Sequence, residues 1–167
     1  MTTGRLLAVD WGDKRIGLAA SDELGILASP LGIVTRRAGK RPPIAELVRH
    51  ADAVNAAAII VGLPLDPSGG ETDRTREIRE VAAKLAARQP RPVRLVDERF
   101  TTALVLRSVR DQGGSTRGRK GDVDAMAACV LLENVLRATA QGVTLGEPVL
   151  PAASDPVDVA MPTAVND

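Results

Sequence analysis

"LLAVDWGDKRIGLAASD", residues 6–22, decides the reading of this chain. The apolar run Leu6, Leu7, Ala8, Val9 ends at Asp10, the chain turns through Gly12, and a second apolar run follows Lys14 and Arg15. A near-continuous apolar run of this length suits a strand buried on both faces. A carboxylate at the tip of such a strand either shapes the turn, as an Asx turn with the Trp11-Gly12 backbone, or holds something.

Working outward, the first strand is expected over about 5–10, a tight turn over 11–14 and a second strand over about 15–21. Gly25 breaks the pattern, and 26–34 reads as a third strand with Pro30 at a bulge or edge. Pro42 and Pro43 start a helix on which Ile44, Leu47, Val48 and Ala51 share one face. "AAIIVGLP" (57–64) is a buried strand closed by Gly62 and Pro64, and "LDPSGGET" (65–72) is loop. From Asp73 to Arg88, Ile78, Val81, Ala82, Leu85 and Ala86 define an amphipathic helix. A strand over 93–98, a helix over 101–110 and a last helix over about 122–140 complete the order. The expected fold is α/β: a mixed five-stranded sheet, an antiparallel meander followed by parallel crossovers, flanked by helices.

The 167 residues suit one domain over 1–141. Residues 142–167, with four prolines, four acids and no Lys or Arg, are expected to form a disordered acidic tail. Removing that tail leaves 22 basic against 17 acidic residues, a mild excess compatible with a polyanionic partner. The aromatic residues are Trp11 and Phe100, which argues against stacking bases on an aromatic platform. One cysteine, Cys129, excludes an intramolecular disulfide and reads as a small buried hydrophobe. The lone His50 gives little support to a zinc site or a Ser-His-Asp triad. No signal peptide or membrane-length apolar run is apparent, so a cytoplasmic protein is expected.

Three acids stand where burial normally excludes them: Asp10 ending the first strand, Glu98 after "VRLV", and Asp124 over the apolar face of the last helix. Each has a plain alternative. Asp10 can form an Asx turn, Glu98 can pair with Arg99 or Arg94 at the surface, and Asp124 can complement the helix dipole. Asp122 reads as the N-cap of that helix, and Asp13 as an exposed turn residue. If the first and fifth strands are central neighbours, however, the three acids converge. Carboxylates that close repel one another, and a hard divalent cation with oxygen ligands, Mg²⁺ or Mn²⁺, removes the conflict. Two such ions support in-line hydrolysis of a phosphodiester.

With these residues in place, the chain resembles the YqgF/RuvX family of ribonuclease H-like nucleases. The resemblance spans about 4–138 and rests on "AVDWGDKRIGLAASD" (8–22), "ASPLGIV" (28–34), "IIVGLPL" (59–65), "LVDERFTT" (95–102) and "KGDVDAMAACVLLENVL" (120–136). Members are described as Holliday-junction resolvases and as nucleases processing the 5′ end of precursor 16S ribosomal RNA. The resemblance implies an RNase H-like fold and metal-binding catalytic carboxylates at Asp10, Glu98 and Asp124. Trp11 and Asp13 depart from residues commoner in the family without removing a ligand.

The function expected is a metal-dependent endonuclease on branched DNA or precursor rRNA, using Mg²⁺ or Mn²⁺, two ions in number. Lys14, Arg15 and Arg99 lie next to the acids in sequence, and Arg117, Arg119 and Lys120 lie in the Gly-rich "GGSTRGRKG" (113–121), so these six are the expected phosphate contacts. Symmetric cutting of a four-way junction needs two active sites and hence a homodimer, for which Trp11 could be an exposed anchor. Two alternatives stay open: a non-catalytic RNA-binding or ribosome-assembly factor on the same fold, and an actin-like or sugar-kinase-type nucleotide-binding protein.

Overall fold

A computed structural model describes residues 4–37, 39–99 and 120–153. Among them the chain forms β1 (Arg5–Trp11), β2 (Arg15–Ser21), β3 (Ala28–Thr35), α1 (Ile44–Ala53), β4 (Ala56–Leu63), α2 (Asp73–Arg88), β5 (Val93–Asp97), α3 (Lys120–Ala140) and β6 (Glu147–Pro148). The sheet order is β3-β2-β1-β4-β5-β6. The meander is antiparallel, β1–β4 and β4–β5 are parallel, and β6 is antiparallel to β5.

Strand alternation divides the core in two. Leu7, Val9 and Trp11 of β1 and Ile59, Val61 and Leu63 of β4 face α1 and α2, where Leu47, Ile78, Ala82 and Leu85 cover them. Leu6, Ala8, Ala58, Ile60 and Val96 face the other way, against Ala128, Leu131, Leu132 and Val135 of α3. Thr72 caps α2 in a reciprocal capping box with Thr75. Cys129 is buried, as its place in the helical pattern suggested, and its thiol donates to the carbonyl of Ala28. No helix among the described residues is long and apolar enough to cross a membrane.

Several expectations need correction. β1 and β5 are not neighbours; β4 lies between them. The sheet has six strands rather than five, and the sixth falls within the segment expected to be disordered. Residues 145–152 are held by their backbone. Arg94 donates to the carbonyls of Leu145 and Gly146, the Val149 amide bonds Val93 O at 2.9 Å, and the Ala152 amide bonds Ala83 O at 3.0 Å. Backbone pairing of this kind leaves no hydrophobic period to read. Trp11 is buried rather than an exposed anchor: it faces the α1/α2 core, with the Arg36 guanidinium 4.5 Å over its ring. Pro30 satisfies both options given to it, since β3 is an edge strand and its register with β2 shifts between Leu18 and Ala19, opposite Gly32 and Pro30. The helix expected over 101–110 lies outside the described residues.

Candidate nuclease site

The parity that splits the core also aligns the acids. Asp10 follows Ala8 by two residues on β1, so its side chain lies on the α3 face of the sheet. It is not in the turn. β1 continues to Trp11, and Asp10 is paired with Gly17 inside the β1–β2 ladder. Glu98 follows Val96 by two residues and inherits the same face, and its amide continues the β4–β5 ladder to Leu63 O at 3.1 Å. Because β1, β4 and β5 run parallel, their C-terminal ends lie at one end of the sheet. Asp10, Glu98 and Asp124 are each fully buried there, at 0% exposure. The surface pairing considered for Glu98 is thus excluded by its burial. Arg99 pairs instead with Asp97, at 2.8 Å, and Arg94 with the carbonyls preceding β6.

Two glycines explain how the acids approach, and the sequence reading missed both roles. Gly62, which the sequence marks as a strand end, lies inside β4, paired with Val96 of β5. A Cβ there would collide with the Glu98 carboxylate, its Cδ 2.6 Å and its Oε2 3.1 Å away. The Glu98 carboxylate therefore lies over the bare backbone of β4, the strand that separates it from β1. One step before Gly62, Val61 pairs with Val9, the residue before Asp10. Gly17 plays the matching part on the other side of Asp10. A Cβ at Gly17 would land on the Asp124 carbonyl and 3.1 Å from the Ala125 amide nitrogen. Helix α3 is seated directly on the β2 backbone at that point, which delivers Asp124 to the residue paired with Asp10. Isolated glycines within strand patterns signal such close approaches, so the cue was present in "RIGLA" and "IIVGL".

The two glycines should respond differently to a methyl group. At Gly62 the obstructing atoms are the end of a flexible side chain, so Gly62→Ala is expected to displace Glu98 at about 1 kcal/mol, the lower end of the cost of overpacking. Thermal melts should then stay near wild type while nuclease activity collapses; a variant melting near wild type with undiminished activity would refute this placement of Glu98.

Asp124 lies in the second turn of α3 rather than opening it, because the helix already runs from Lys120. Asp122 is within the helix and is not its N-cap. The Nε of Arg15 donates to Oδ2 of Asp124 at 2.7 Å. Lys14 is exposed in the turn after β1, and Asp13, also exposed, pairs with Arg74 of α2 at 3.2 Å. Arg99 packs its Nη1 against Gly69, whose φ of +86° closes the loop after β4. That loop is tied by Asp66, whose carboxylate accepts from Ser68 Oγ at 2.6 Å and the Gly70 amide at 2.7 Å; these bonds hold its pKa below the usual range. Burial pushes the Asp97 carboxyl up, but its bonds to Arg99 outweigh this and lower it. Arg117 and Arg119 lie outside the described residues. Lys120 begins α3, and its side chain is outside them too.

The structure thus places Asp10, Asp124 and Arg15 together around Gly17 and Glu98 over Gly62, on the same side of the sheet, with Lys14 at the adjoining turn and Arg99 over the neighbouring loop. An all-oxygen set of three buried carboxylates on one sheet face suits a hard divalent cation by its chemistry. The fit is one of donor type and shared face: among the described residues no three His, Cys, Asp or Glu side chains form a ready metal-binding group, and Asp124 is engaged by Arg15.

Comparison with known proteins agrees with this architecture. A family model described as "RuvX: Holliday junction resolvase" matches residues 4–138. A protein of Nocardioides sp. named "Putative pre-16S rRNA nuclease" is 40% identical over 139 residues, covering 81% of this chain and 89% of that protein. A Rhodopirellula baltica protein of the same name is 44% identical over 137 residues, covering 81% and 78%. Among solved structures, Thermus thermophilus RuvC in complex with a Holliday junction substrate superposes with a TM-score of 0.51 at 14% identity, over 86% of this chain and 99% of that one. That likeness establishes the RNase H-like fold. With the family model spanning β1 to β5, both glycines and all three acids, the chain belongs to the RuvX family.

Proposed function

We propose that this chain is a divalent-metal-dependent endonuclease that hydrolyses phosphodiester bonds in structured nucleic acid and acts in the cytoplasm. The observation that supports it most is the burial of Asp10, Glu98 and Asp124 on the α3 side of the sheet, at the C-terminal ends of the parallel strands. Burying ionised carboxylates together is expensive unless positive charge compensates them. A chain that sets glycines at positions 17 and 62 to achieve this burial has a use for the charge.

In this reading Asp10, Glu98 and Asp124 hold Mg²⁺ or Mn²⁺, two ions in number. Such ions, when bound, supply an activated water and stabilise the leaving oxygen. The chain's own residues do the rest. Lys14 contacts the phosphate backbone from the turn after β1, Arg99 from the end of β5, Arg117, Arg119 and Lys120 from the segment leading into α3, and Arg15 from beside Asp124. Contacts of this kind position a backbone without reading sequence. Exposed Leu24, Ile26 and Leu27 of the β2–β3 hairpin, with Leu31 and Ile33 on the edge strand, offer a surface on which two copies would meet.

The relatives' names favour precursor 16S rRNA as substrate, and the family model's description favours four-way DNA. The deciding experiment offers matched four-way DNA and 5′-extended precursor rRNA to the purified chain with Mn²⁺ or EDTA, with mass measured in solution. Metal-dependent trimming of the RNA by a monomer identifies an rRNA nuclease, and paired symmetric cuts by a dimer identify a resolvase. Binding of either without metal-dependent cleavage would refute the nuclease reading in favour of an assembly factor.

A further inference from the structure

Arg15 opens β2, two residues before Gly17, and its Nε donates to Asp124 Oδ2 at 2.7 Å. The two partners differ in freedom. Asp124 is fully buried and its backbone is seated on Gly17, so its backbone cannot shift without lifting α3 off the sheet. The Arg15 side chain keeps 26% of its surface exposed, so it reaches from Asp124 to solvent. If this bond is exchanged, the arginine is the partner that leaves.

We infer that Arg15 is an exchangeable counter-ion: it neutralises Asp124 in the metal-free site and yields the carboxylate to an arriving divalent cation, its guanidinium then turning to a substrate phosphate. The inference rests on the metal-dependent reading above. Its physical basis is charge. Asp10, Glu98 and Asp124 buried on one face call for positive charge whether or not a cation is bound, and Arg15 supplies some of it. A divalent cation at Asp124 replaces that charge and repels the guanidinium. Arginine stays protonated at any ordinary pH, so cation concentration rather than pH drives the exchange. The freed fork matches phosphate geometry.

The test uses the full chain, with Mn²⁺ as the probe, in wild type, Arg15→Gln and Arg15→Lys. Calorimetry is expected to show Arg15→Gln binding Mn²⁺ about tenfold more tightly, because a charged hydrogen bond no longer competes for Asp124. Linkage requires the same coupling in thermal melts: Arg15→Gln should melt below wild type in EDTA, with the gap closing in saturating Mn²⁺. Its KM for nucleic acid at saturating Mn²⁺ should rise several-fold. Arg15→Lys, which keeps the charge, should lie between the two and carries the test if the glutamine variant does not fold. Equal or weaker Mn²⁺ binding by the variants, or a melting gap unchanged by Mn²⁺, would overturn the exchange and make Arg15 a fixed orienter of Asp124. An unchanged KM would overturn its phosphate role. Absence of Mn²⁺ binding in wild type and variants alike would instead overturn the metal-dependent reading, and the exchange with it.

Discussion

Asp10→Asn is expected to reduce phosphodiester cleavage by about 10³-fold or more while leaving the fold intact. The amide preserves the shape of a fully buried side chain and its place opposite Gly17 in the β1–β2 ladder. What it removes is one negative charge from the cation-binding set. Metal ions at such sites supply several kcal/mol of transition-state stabilisation, and each ~1.4 kcal/mol is a factor of ten in rate. Because the amide keeps the shape of the buried side chain, in EDTA the variant should melt within a few degrees of wild type. Loss of activity with the melt retained is a pattern that misfolding cannot produce. Single-turnover cleavage with Mn²⁺, alongside thermal melts with and without EDTA, reads both. Full activity in a pure preparation would remove Asp10 from the site.

Gly17→Ala should damage stability and activity together. The added Cβ meets backbone, the Asp124 carbonyl and the Ala125 amide, rather than the end of a side chain. Neither β2 nor α3 can yield locally. β2 is hydrogen-bonded on both edges, and α3 is locked to the sheet by Ala128, Leu131, Leu132 and Val135. Overpacking of this kind costs ~1–3 kcal/mol, and the upper end applies where backbone must move. For a chain of this size that is a fall of about 6–12 °C in melting temperature, together with loss of the Asp124 alignment and of cleavage. A variant melting within a degree or two of wild type would show that α3 is not seated on Gly17 as described. The contrast with Gly62→Ala, expected to be near-neutral in stability and inactive, separates the two glycines.

Much of this molecule was legible locally. β2 falls over the second apolar run, and α2 over the residues that the i, i+3, i+4 spacing marks out, because both patterns depend on neighbouring positions alone. The three acids stood out by the same logic, as charges interrupting apolar runs. β6 was not legible: two residues held by the backbone of β5 and by Arg94 impose no side-chain period. The burial of Trp11 follows from strand parity, which a sequence reveals only once the position of the turn is known. Its turn begins after Trp11 rather than after Asp10.

The sequence by itself determined the order β1 to β5 with α1 and α2, the apolar faces of those helices, and the identity of the three acids. Each of these depends on chemistry repeated over a few neighbouring positions. Only the tertiary structure decided that β4 separates β1 from β5, that Glu98 lies over β4 through the gap at Gly62, that α3 rests on Gly17, and that Arg15 is bound to Asp124. These are contacts between residues as much as 109 positions apart. A missing side chain decides the first two approaches, and an absence acquires meaning only when another part of the chain fills it.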